Sequence, residues 1–124
     1  MGASYYISSD QEQVGPWPFT GDQVKQCVTR HWPDAVVSGA FEHFLEIQAQ
    51  LEPGRPTELS YNLRHHAFSF EDRAPLSAPL TVIYTVLHEL APTTPVMWWV
   101  DYDAELQPLD LSRGLDAFIE DFSA

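Results

Sequence analysis

Cysteine is almost absent. Cys27 is the only one in the 124-residue chain, so no intrachain disulfide can form. Small exported domains usually depend on such staples, and a lone thiol fits a reducing compartment better. Basic residues are also scarce, with six Lys and Arg facing eighteen Asp and Glu for a formal net charge of -12. From Ala74 to Ala124 the only basic side chain among Lys and Arg is Arg113, against Glu89, Asp101, Asp103, Glu105, Asp110, Asp116, Glu120 and Asp121. Binding phosphates requires Lys and Arg to displace condensed counterions, so this field disfavours nucleic acid and anionic lipid and attracts a basic protein.

No apolar run approaches the length of a membrane span, and the start Met-Gly-Ala-Ser-Tyr-Tyr lacks the charged and apolar segments of a signal peptide. The expected location is the cytoplasm. Equally absent are a Gly-x-Ser-x-Gly elbow, a phosphate-binding loop ending in Gly-Lys and a dinucleotide glycine fingerprint. The common serine-hydrolase and nucleotide-dependent classes are disfavoured accordingly.

What is present is enough for one core. Apolar residues make up 44% of the chain and aromatics 13%, far from the composition that prevents folding. A single domain over 1–124, folding without metal or disulfide, is the expectation.

The pattern of residues predicts the elements. Tyr5 to Ser8 reads as a short first strand, followed by a loop through Gly15-Pro16-Trp17-Pro18. Thr20 and Gln23 have capping-box spacing, and Val24, Cys27, Val28 and His31 then share one helical stripe, which predicts a helix near 21–31 closed by Pro33. From His43 to Leu51 the odd positions hold His43, Leu45, Ile47, Ala49 and Leu51, and the even ones Phe44, Glu46, Gln48 and Gln50, a two-residue period. The alternation resumes at Leu59, Tyr61 and Leu63 beyond Pro53-Gly54, so the two segments read as an antiparallel hairpin.

Since both strands bury odd positions, only registers of equal parity are allowed, Glu46 opposite Arg64 among them. The change of parity to Phe68 and Phe70 requires a bulge, or a junction of two strands, around 64–67. Leu76, Leu80, Ile83, Tyr84, Leu87 and Leu90 mark a second helix started near Ser77 and ended by Ala91-Pro92. Val96 to Tyr102 reads as a central strand, and Ser112 to Phe122 as a final helix capped by Ser112. Strands clustered mid-chain predict an α+β fold, with an antiparallel or mixed sheet packed by two or three helices on one face.

No constellation carries clear chemistry. His65-His66 would point to opposite faces of a strand unless the predicted bulge turns them together, and allowed registers bring His43 near His65 or Ala67, where a cross-strand histidine pair with a carboxylate could accept zinc. Asp101-x-Asp103-x-Glu105 lacks the glycine and terminal glutamate of a calcium loop. Cys27 and His31 have the i, i+4 spacing of an activated thiolate, but both lie on the apolar stripe, where a cysteine packs as a small hydrophobe. His88-Glu89 lacks the second histidine of a zinc-protease helix and reads as that helix's polar side. No catalytic residue, metal ligand or cofactor is expected.

Trp17, Phe19 and Trp32 sit where large rings either anchor a partner or cap the core. Trp98 and Trp99 must point to opposite faces. The expected function is an acidic intracellular protein-binding module with a basic partner protein, comparable in charge logic to the immunity proteins that neutralise basic toxins. Its binding residues would be Trp98, Trp99, Asp101, Asp103, Glu105 and Asp110. The alternative is a small enzyme or ligand-binding domain using a histidine and a carboxylate.

Overall fold

Thr20 lies in extended backbone, its hydroxyl accepts from the Gln23 N–H, and the Gln23 side chain accepts from the Thr20 N–H. Two of the donors that a helix start leaves unsatisfied are thereby paired. In the computed structural model, which describes residues 4–9, 17, 19–39, 43–52, 55–63, 66–71, 77–100, 103–109 and 111–123, this capping box opens α1 (Gly21–His31). The helix stops at Trp32, whose N–H donates to the Val28 carbonyl, one residue before Pro33. The other elements are β1 (Ser4–Ser9), β2 (Val36–Ser38), β3 (Phe44–Glu52), β4 (Arg55–Asn62), β5 (Ala67–Glu71), α2 (Ser77–Leu90), β6 (Val96–Val100), β7 (Asp103–Leu109) and α3 (Leu115–Ser123).

The strands form one seven-stranded sheet in the order β2-β3-β4-β5-β1-β6-β7. Every adjacent pair is antiparallel. With three helices this is the expected α+β class. Among the described residues no helix is long and apolar enough to cross a membrane.

The β3–β4 hairpin keeps equal parity, with Leu45 opposite Tyr61 and Ile47 opposite Leu59, all four buried. The pairing Glu46–Arg64 does not form. Glu46 faces Ser60, because Glu52 already pairs with Arg55 and a register shift between Gln50 and Glu52 sets the rest of the ladder. The same register puts Leu63, whose N–H donates to the His43 carbonyl, where His65 or Ala67 was expected.

The parity change after Leu63 is a junction of two strands, the second of the two possibilities. β4 ends at Asn62 and β5 begins at Ala67, with His66 between them at φ 54°. His65 and Arg64 lie outside the described residues.

Two strands escape sequence reading. β2 is only three residues long, and β7 arises because the chain reverses after Val100 to pair Asp103–Leu109 with β6. α3 starts later than Ser112, which lies in a turn; the Phe118 N–H instead donates to the Gly114 carbonyl.

One core joins these elements. Leu45, Ile47, Tyr61, Phe68 and Ile7 from the sheet meet Val24 and Val28 from α1, Leu80, Ile83 and Leu87 from α2, and Phe118 from α3. Trp17 and Phe19 stack on each other at 5.4 Å inside this core, so they are packing residues rather than exposed anchors. Trp32 is half-buried against it.

Candidate acidic groove and open sheet face

Residues paired across a ladder point the same way. Following the registers on the side opposite Leu45 and Ile47 gives one row across six strands: Ser38, Glu46, Ser60, Ser69, Tyr6 and Trp99. Beside it run Val36, Gln48 and Glu58, and, further across, Glu71 and Ser4. Glu46, Glu58 and Glu71 are exposed.

The apolar groups on this face stand at its two ends. Val36 (56% exposed) and Phe44 (40%) are the exposed large hydrophobic residues among those described, while Tyr6 and Trp99 stack at 5.5 Å with their rings 15° apart. β2 and β6 are five strand spacings apart in the sheet order, roughly 24 Å at about 4.8 Å per strand. The two ends are therefore separate contacts flanking an acidic centre.

Between them the sheet opens. The β4–β5 ladder stops at Ser60 opposite Ser69, although β4 extends back to Arg55 and β5 onward to Glu71. Residues from both faces of β4 line the resulting groove, together with Ser77, Ala78, Pro79 and Thr81 from the start of α2, and its volume is about 640 Å³. Glu46, Glu58 and Glu71 are among its lining residues, and no Lys, Arg or His lines it among the described residues. A carboxylate-lined opening beside a strand that outruns its partner suits a cationic, extended occupant.

The expected binding residues are only partly brought to this face. Trp99 lies on it, whereas Trp98 packs toward the core, 6.0 Å from the Tyr5 ring. Asp103 and Glu105 belong to β7, at an edge of the sheet. Asp101 and Asp110 lie outside the described residues. Glu46 and Glu58 were visible as polar positions of two alternating strands, but the strand order was needed to add Glu71, Tyr6 and Trp99 to the same surface.

A second cluster joins α1 to α2. Cys27 and His31 meet Glu89, with the His31 Nε2 atom 3.5 Å from Glu89 Oε1 and Arg30 paired to Oε2. Burial and then hydrogen bonding to Glu89 push the Cys27 thiol up to about 12. The hydrogen bond from Cys27, with help from His31 and Arg30, holds the Glu89 carboxyl below its ordinary value despite some desolvation. Both shifts follow from a buried thiol standing close to a carboxylate, which favours the protonated thiol beside an ionised Glu89. Such a thiol is no nucleophile near neutral pH. Of the other histidines, His43 is exposed at the start of β3 and His66 occupies the β4–β5 turn.

No protein-family model matches the chain, and no curated protein or solved structure shows significant similarity to it.

Proposed function

We propose that this protein is an acidic binding module of the cytoplasm that captures a basic partner protein and thereby inhibits it, as immunity-type proteins do. The observation that carries this reading is the groove between β4 and β5, where three glutamates and, among the described residues, no basic side chain line an opening in the sheet. Opposite charge across the contact would accelerate association and disfavour wrong partners. Strand β4 offers backbone beyond its ladder with β5, so an extended basic segment of the partner would add main-chain hydrogen bonds. Trp99 with Tyr6 at one end of the face, and Val36 with Phe44 at the other, would supply the apolar anchors that control dissociation. Asp101, Asp103, Glu105 and Asp110 add four acidic residues to the net charge of -12 that would attract such a partner.

The test begins with the partner recovered from the native host and identified by mass spectrometry. Association is then measured at several salt concentrations for wild type, for Glu46→Gln/Glu58→Gln/Glu71→Gln and for Asp101→Asn/Asp103→Asn/Glu105→Gln. The groove variant should associate about tenfold more slowly at low salt and with a flatter salt dependence, and the second variant should change less. Wild-type rates and salt slopes in both variants would defeat the proposal.

The competing reading, a small catalytic or ligand-binding domain using a histidine and a carboxylate, retains one observation, the closeness of His31 to Glu89. The protonated thiol beside them supplies it with no nucleophile.

A further inference from the structure

We propose that Cys27, His31 and Glu89 form a binding site for one divalent transition-metal ion of the zinc type, at the outer end of the α1–α2 contact. The donor set comes from two elements. Cys27 and His31 are four residues apart on α1, a spacing that brings side chains to one helix face, and Glu89 arrives from the last turn of α2. One ligand atom from each lies within 4.8 Å of the others.

The geometry is close to what a tetrahedral ion needs. Bonds of about 2.0 to 2.3 Å place neighbouring ligand atoms roughly 3.3 to 3.7 Å apart. His31 Nε2 and Glu89 Oε1 already stand at 3.5 Å. The sulfur of buried Cys27 lies within 4.8 Å of a ligand atom of each partner and has to approach further to complete the set.

Chemistry selects the class of ion. Thiolate and imidazole favour zinc-like metals over magnesium or calcium, which prefer oxygen donors. On binding, the Cys27 S–H bond breaks, its proton leaves to solvent and the sulfur electron pair goes to the metal. Thiolate and carboxylate then supply two negative charges to the dication, with neutral His31 as the third ligand. Arg30 is paired to Glu89 Oε2, which leaves Oε1 on the His31 side and holds the carboxylate for one-point coordination. Three protein ligands leave a fourth position, and the exposure of His31 and Glu89 turns it toward solvent, open to water or to a donor from a partner.

The Arg30–Glu89 pair joins α1 to α2 without the ion, so folding does not depend on it. The experiment uses metal-stripped full-length protein titrated with cobalt(II) as the probe, followed by zinc(II). The expected result is one equivalent of cobalt bound, with a cobalt–thiolate charge-transfer band that zinc abolishes. The band should be absent in Cys27→Ser. Affinity should fall at least about tenfold in His31→Ala and in Glu89→Gln, both exposed positions at which circular dichroism should stay that of the wild type. Wild-type cobalt affinity in the last two variants, or no thiolate band in the wild type, would overturn the site.

Discussion

Tyr61 is completely buried, ringed by Trp17, Phe19 and Phe68, with its ring centroid 4.6 Å from that of Phe68. Its hydroxyl has no hydrogen-bond partner among the described residues. A buried hydroxyl without a partner carries its full desolvation penalty, while the ring supplies the packing. Tyr61→Phe should therefore raise stability, by about 1 kcal/mol, read as a higher denaturant midpoint at unchanged slope; a fall of similar size would show that the hydroxyl is bonded. At this scale the alternation marked Leu45, Ile47 and Tyr61 as inside, whereas His31, on the helical stripe of Val24, Cys27 and Val28, is exposed because it lies in the last turn of α1. The sequence left Trp17 and Phe19 open, because a proline-bearing loop has no period to say which way a ring turns.

Element boundaries were legible where local chemistry sets them. The capping box of Thr20 and Gln23 placed α1 correctly because both partners are three residues apart and need nothing from the rest of the chain. Thr20→Ala should cost about 1 kcal/mol, measured by thermal or denaturant unfolding, and Thr20→Ser should recover most of it. β2 was not legible, since three residues are too few to display an alternation. β7 was hidden differently. Its sequence Asp-Ala-Glu-Leu-Gln-Pro-Leu includes Pro108, which lacks a ladder donor, and it is a strand because β6 offers it a partner. Register was half legible: parity followed from burial, but the choice of Ser60 over Arg64 opposite Glu46 came from the tight connection between Glu52 and Arg55.

For the whole molecule, the formal charge of -12 belongs to the composition and survives any fold. Purified protein should therefore fail to shift duplex DNA or RNA in a mobility assay at physiological salt; submicromolar, salt-dependent binding would contradict it. Where that charge converges is another matter. β1, the first strand in the chain, lies between β5 and β6, and this insertion brings Tyr6 and Trp99 onto the face that carries Glu46 and Glu58. The fork that admits Glu71 to the groove, and the approach of α2 that brings Glu89 to Cys27 and His31, are likewise contacts between distant segments. The sequence by itself determined the charge, the α+β class, the parity of the hairpin and the start of α1, since each depends on composition or on residues a few positions apart. Only the tertiary structure decided the strand order, the groove and the Cys27–His31–Glu89 cluster, because long-range pairing is selected by how the whole core closes and leaves no short-range mark on the residues it joins.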